Sequence, residues 1–310
     1  METYVKLFAI VRGGTRIAVS LYEMARYVSR FSSFVYDSLS PAYRLATNTH
    51  EKATVIGLGT KFVAKRGLTV LTRIINTRLL QEDTAVHLQG NTYIVGIESS
   101  EIAVFQEIYD DRDYDRVTDF IPRPGWIVFD IGANVGIFTV QQARRGARVY
   151  AFEPNPNCFR RLSKAVAANG FGDVVSLFNV AVGSTSGMGA LVVPRGWTTN
   201  GNVLSTAHPD TDSISVELTT LDHVVPSFAL THIDLLKIDT EGAELEVLRG
   251  ADRTLQLVQR VVIEYHSIEI LGHIRELLLL HGLTEVLRLD MDPAAGVGIL
   301  YAHRTGQAAA

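Results

Sequence analysis

From residue 126 onward, apolar residues alternate between two patterns. Residues 126–131, 148–152, 175–182, 233–238 and 261–265 are short, nearly continuous apolar runs of strand length. Between them lie segments with helical spacing, at 137–145, 157–169, 243–249 and 268–281. In the second of these, Phe159, Leu162 and Val166 share one face, and Gly170 supplies a C-terminal stop. Residues 213–218 alternate apolar and polar, which predicts an inserted or edge strand, and 286–289 with 297–302 predict a final antiparallel pair. Strands that alternate with helices imply a mostly parallel sheet covered on both faces. Ahead of this domain, 86–88 and 93–95 read as two strands of a hairpin (about 85–97) turning at Gly90-Asn91. A short helix is expected at 101–109, then a polar connection at 110–119. Residues 1–80 read as mostly helical: Val5, Phe8 and Ile10 open an apolar pattern, Leu21, Met24, Ala25 and Val28 repeat at helical spacing, and a second helical stretch covers 62–80. The expected organisation is a helical N-terminal segment (1–82) followed by an α/β domain (83–310).

Charge separates the same two parts. The chain of 310 residues carries a net charge of −4. Residues 1–80 hold twelve basic and four acidic side chains, hence +8, which leaves −12 for the rest. That asymmetry predicts an anionic partner for the first segment, and peripheral contact of residues 1–80 with an anionic membrane surface is the expectation. No stacking-aromatic module or basic recognition motif stands there, so nucleic acid is not expected. Lys6 and Arg12 interrupt the first apolar stretch, against a signal peptide, and Gly183-Ser-Thr-Ser-Gly187 breaks the uncharged run 174–194, against a membrane span. Cys158 is the only cysteine, so no intrachain disulfide can form, and a cytoplasmic setting is expected.

In an open parallel sheet, ligands bind beyond the carboxyl ends of the strands. The first run ends in Asp130-Ile-Gly132-Ala-Asn134-Val-Gly136. Gly132 permits a tight turn with a ligand against the backbone, and Gly136 allows close helix–strand packing. Asn134 at the middle position fits a dinucleotide fingerprint poorly. The second run ends in Glu153-Pro154-Asn155, with Glu153 lying 23 residues beyond Asp130, where an acid can accept hydrogen bonds from ribose hydroxyls.

Together with Asn179-Val-Ala181-Val-Gly183, Thr220-Leu-Asp222, the block from Asp234 through Lys237, Asp239, Glu241 and Glu244 to Gly250, and Glu264-Tyr-His266, these motifs resemble the FkbM-type methyltransferases. The resemblance covers about 85–305. It implies a Rossmann-like class I methyltransferase sheet, mostly parallel with an antiparallel last strand, that uses S-adenosylmethionine as cofactor. It also implies methyl transfer to a hydroxyl of a sugar, glycolipid or natural product. By match to the family's motifs, the resemblance implies that Gly132, Asn134 and Gly136 border the methionine part, Glu153 holds the ribose, and Asn179 and Ala181 lie near the adenine, with Asp130, Pro154 and Asn155 completing the cofactor-binding set.

An alcohol is a poor nucleophile at neutral pH, so a general base or a metal ion is needed beside it. Asp239 and Glu241 after the fourth run, and Glu264 and His266 at the end of the fifth, are the candidate catalytic groups. His266 has the unperturbed pKa best suited to a base near pH 7. No metal-specific spacing occurs, and no metal is expected. Competing readings are a cofactor-binding protein without catalysis, a methyltransferase for another acceptor class, and a nicotinamide-dependent oxidoreductase.

Overall fold

The computed structural model describes residues 8–12, 15–19, 83–95, 104, 108, 112–194 and 211–305. At the N-terminus, β1 (Phe8–Arg12) and β2 (Thr15–Val19) pair as an antiparallel hairpin. Helix was expected there. Phe8 and Ile10, two residues apart, fit the period of a strand as well as they open a helix, so the apolar pattern alone does not separate the two. The rest of the expected helical segment, its membrane contact and most of the 101–109 helix lie outside the described residues.

Strands β3 (Thr84–Leu88) and β4 (Asn91–Val95) form the expected hairpin. Its turn sits one residue earlier than the sequence suggests, at Gln89 and Gly90, because Leu88 already pairs with Asn91. Both turn residues have positive φ (49° and 75°), the backbone that a two-residue hairpin turn requires.

The main domain begins with β5 (Ile127–Ile131), α1 (Ile137–Arg144), β6 (Arg148–Phe152), α2 (Pro156–Ala168) and β7 (Val175–Phe178). The single strand expected over 175–182 is split. After Phe178 the chain leaves the sheet, and β8 (Ala181–Val182) joins a small second sheet with β9 (Gly187–Pro194) and β10 (Thr211–Thr219) in the order β8-β10-β9. Asn179 marks the break: its side-chain amide donates to the carbonyls of Glu153 (2.7 Å) and Pro154 (3.1 Å) and ties the chain to the loop after β6. The short α3 (Leu221–Val224), β11 (Leu235–Ile238), α4 (Glu244–Arg249), β12 (Arg260–Tyr265), α5 (Ile268–Leu280), β13 (Leu283–Asp292) and β14 (Val297–Arg304) complete the order.

Seven strands form the main sheet in the order β13-β14-β12-β11-β5-β6-β7. Neighbours from β7 through β12 are parallel, and β14 inserts antiparallel between β12 and β13. Successive residues of each strand face opposite layers. Val128, Val149 and Leu235 pack with Val140 and Leu162 of the helices on one side, joined there by Leu88 and Tyr93 of the hairpin. Phe129, Leu236 and Ile263 pack with Leu248, Leu271 and Ile274 on the other. Double coverage explains why the strand sequences read as continuous apolar runs. The hairpin is clamped to the domain by Asn169, which accepts from the Thr92 amide (2.9 Å) and donates to the Thr92 carbonyl (2.6 Å). Among the described residues, no helix is long and apolar enough to cross a membrane.

Candidate active site

The carboxyl ends of β5, β6, β11 and β12 meet along one crest. After β5 the chain turns through Gly132 (φ 81°), Asn134 (φ 53°) and Gly136 (φ 89°) into α1. The amides of Gly132 and Ala133 both donate to the Phe152 carbonyl at 3.0 Å, which locks the turn to β6. A Cβ on Gly132 would lie 1.8 Å from the Asp239 carbonyl oxygen, and one on Gly136 would lie 2.4 Å from Leu162 Cδ1. At Gly132 the obstacle is backbone, which leaves no room for a side chain, and both positions have a backbone that glycine adopts without strain.

Lys237 connects the turn to β11. Its ammonium donates to the Gly132 carbonyl (2.9 Å) and pairs with Asp130 (3.1 Å) and Asp239 (3.3 Å). Burial opposes its charge, but Asp130 and Asp239 outweigh that and hold its pKa above the ordinary lysine range. Asp130 is fully buried, and its other oxygen accepts from the Thr139 hydroxyl at 2.6 Å. It supports the turn from within the core and is not among the residues that line the cleft.

Glu153 stands at the end of β6 with both oxygens on backbone amides, Oε2 on Asn134 (2.8 Å) and Oε1 on Asn155 (2.7 Å). Burial raises its pKa to about 7, against the lowering effect of those two amides and of Lys237. The Asn155 side chain accepts from the Asn157 amide and caps α2, and Asn179 holds the loop from an exposed position. These two act on the backbone around Glu153. The cleft itself is open to solvent. Gly132, Asn134, Glu153, Pro154 and Ala181 line one side, and Asp239, Thr240 and Glu241 line the other. Gly136 does not line it.

The four catalytic candidates come together at that second side. Tyr114 bridges two of them: its hydroxyl lies 2.6 Å from Glu264 Oε2 and 3.2 Å from Asp239 Oδ2. Having one proton, it donates to the nearer Glu264. Tyr114 is buried, packs edge-on against Phe138, and places its ring 5.4 Å from the Lys237 ammonium. His266 Nδ1 lies 3.0 Å from Glu244 Oε1, and Nε2 lies 3.5 Å from Glu241 and 3.7 Å from Glu264. Burial disfavours charge on this imidazole, yet the bond to Glu244 and the charges of Asp239, Glu244 and Glu241 raise its pKa to about 10. With no cation beside it, His266 therefore holds its proton near neutral pH, which does not suit it to act as a general base. Glu241 has a positive φ of 55°, a strained conformation for a non-glycine residue, and its carboxyl is pushed up by burial and by Asp239.

Two residues of this cluster escaped the sequence reading. Tyr114 sits in the polar stretch 110–119, which looked like a mere connection. Its neighbours carry a signal in hindsight, since Asp113 and Asp115 are both buried and Asp115 pairs with Arg145. Glu244 was quoted only as part of a motif. It is buried, accepts from the Gly242 amide (2.8 Å), and orients His266.

A model of the methyltransferase FkbM domain matches residues 130–284. Methyltransferase sdnD of Sordaria araneosa is 32% identical over 196 residues, covering 52% of this chain and 73% of its own. The 31-O-demethyl-FK506 methyltransferase FkbM of Streptomyces tacrolimicus is 30% identical over 217 residues, covering 60% of this chain and 83% of its own. Hexuronic acid methyltransferase AglP of Haloferax volcanii is 32% identical over 142 residues, covering 46% of this chain and 56% of its own. Among solved structures, M. jannaschii TYW2 in complex with AdoMet is similar with a TM-score of 0.40 and 15% identity, over 72% of this chain and 87% of that one.

Proposed function

The chain belongs to the FkbM family of S-adenosylmethionine-dependent methyltransferases, and we propose that its acceptor is a hydroxyl of a sugar, glycolipid or polyketide-type natural product. The names of two relatives support this acceptor class, one acting on 31-O-demethyl-FK506 and the other on a hexuronic acid.

The residues around the cleft fit the cofactor. Asn134 Oδ1 is buried without a hydrogen-bond partner among the described residues, and the Glu153 carboxylate faces the same space. S-adenosylmethionine supplies an activated methyl group on a sulfonium, so the protein's task is alignment and proton removal. Glu153 accepts hydrogen bonds from ribose hydroxyls. The Gly132–Gly136 turn lets the ligand lie against the backbone. Lys237 fixes the turn and Asp239 in one frame.

Glu241 carries the hydroxyl reading. It lines the cleft, and burial and Asp239 raise its pKa above the ordinary carboxylate range, in the direction a base for an alcohol requires. Glu241 would take the hydroxyl proton as the acceptor oxygen bonds to the methyl carbon and the carbon–sulfur bond breaks, the sulfur leaving as a neutral thioether. His266, held by Glu244, steadies the Glu241 carboxylate from the other side, and Asp239 and Glu264 accept from neighbouring hydroxyls of the acceptor.

Calorimetric titration with S-adenosylmethionine, with NAD as control, comes first. Transfer of an isotopically labelled methyl group to panels of glycans, glycolipids and polyol natural products follows, and the label is expected in a methyl ether. Label found on nitrogen or carbon instead would sink the hydroxyl assignment.

A further inference from the structure

We propose that Asp239, Glu264 and His266 form a divalent-cation site at the acceptor end of the cleft. This deepens the hydroxyl-methylation reading and rests on it. One ligand atom from each of the three residues can be chosen so that all lie within 4.8 Å of one another. Ligands on adjacent corners of an octahedron, about 2.1 Å from a shared ion, stand roughly 3 Å apart, so modest side-chain movement closes the set around a metal.

The surroundings prepare each ligand. Lys237 and Tyr114 both contact Asp239 through Oδ2, and Tyr114 contacts Glu264 through Oε2. The other Glu264 oxygen, Oε1, is the one that faces His266 Nε2. The imidazole is oriented from outside the triad, since Glu244, wholly buried, engages Nδ1 and turns Nε2 toward the carboxylates. A carboxylate behind the distal nitrogen is the arrangement that orients ligating histidines. The second oxygen of Glu244, Oε2, is buried with no hydrogen-bond partner among the described residues. A cation at Nε2 displaces the proton held there and leaves the Nδ1 proton directed at Glu244. One imidazole with two carboxylates suits a borderline divalent metal of the manganese or iron(II) type better than calcium.

The site explains a feature of the cluster that a base alone does not. Neighbouring hydroxyls of a sugar or polyol chelate such an ion, which lowers the pKa of the reacting hydroxyl and leaves Glu241 to take its proton.

The test uses the full chain, stripped with EDTA and titrated with Mn2+ alone by electron paramagnetic resonance. S-adenosylmethionine affinity is measured in parallel by calorimetry. One saturable Mn2+ per chain is expected, weakened by about tenfold or more in Asp239→Asn, Glu264→Gln and His266→Gln, each variant still binding S-adenosylmethionine. Pulsed measurements on the wild-type Mn2+ complex should show coupling to a histidine nitrogen, a readout that needs no variant to fold. Absence of saturable Mn2+ binding, of nitrogen coupling, or of any effect of the three substitutions would overturn the proposal. If S-adenosylmethionine still binds the wild type in that case, the metal site alone fails. If it does not, the cofactor reading fails as well.

Discussion

The two sides of the cleft are built by different means. The side formed by β5 and β6 is made from backbone: glycines with left-handed φ, paired amides on the Phe152 carbonyl, and a single acid, Glu153, held by two more amides. The side formed by β11 and β12 is made from side chains, with Asp239, Glu241, Glu244, Glu264 and His266 arranged around Lys237 and Tyr114. On the proposed reading the first side holds the cofactor, whose shape does not vary, and the second suits one acceptor. Fold and cofactor therefore travel together while the acceptor does not.

The strongest test of this contrast is Gly132→Ala. A methyl at 1.8 Å from the Asp239 carbonyl, on a residue with φ 81°, forces the turn apart. Strain and overpacking together are expected to cost about 2–6 kcal/mol, read as a large drop in melting temperature with loss of S-adenosylmethionine binding. Wild-type melting would mean the turn is pliable and the backbone side is not rigid. Lys237→Met comes next, because Lys237 joins the two sides. Removing it leaves Asp130 buried without its cation, an expected loss of about 3–5 kcal/mol, visible in thermal melts and partly rescued by Asp130→Asn.

Glu241→Gln should then separate the two functions: turnover falls by about 10²–10⁴-fold while S-adenosylmethionine affinity by calorimetry stays as in the wild type. Full turnover would remove Glu241 as the base. Glu153→Ala should do the reverse, weakening cofactor affinity by about 1.5–3 kcal/mol in a folded protein, and an unchanged affinity would take Glu153 out of the site.

The smallest effect is a pH dependence. The folded protein holds the Glu153 proton more tightly than the unfolded chain, with a pKa of about 7 against 4.5. Stability from this group is full below the unfolded value and is lost as pH rises through about 7. Ribose hydroxyls prefer the ionised carboxylate, so cofactor affinity should rise about tenfold between pH 6 and 8, and Glu153→Gln should flatten that rise.

Legibility in the sequence followed the same division. The glycine turn and Glu153 depend on local backbone geometry, so their spacing displays them, and the strand runs at 127–131 and 148–152 stand where the apolar pattern put them. The acceptor side is assembled across the sheet. Tyr114 reaches Glu264 over 150 residues of chain, and no local pattern records such a contact. His266 looked like a base because its ordinary pKa is near neutrality, but Asp239, Glu241 and Glu244, carried by the segment after the neighbouring strand β11, raise that pKa from across the sheet. The break at Asn179 was hidden for a related reason, since one polar residue within a mostly apolar run does not show that the strands on either side of it join different sheets. At the N-terminus, Phe8 and Ile10 satisfied either period.

The position of β14 bears on how the enzyme is made. This strand, Val297–Arg304, inserts between β12 and β13, and its Ile299 pairs with Glu264. A nascent chain emerges from its N-terminal side, so the glycine turn, Glu153 and Lys237 are all available before the partner that completes β12 has been synthesised. Until then the strand bearing Glu264 has an open edge, a template for pairing with other chains. On the proposed reading, a ribosome that stops short of residue 297 releases a product with its cofactor-side motifs complete and its acceptor side unfinished.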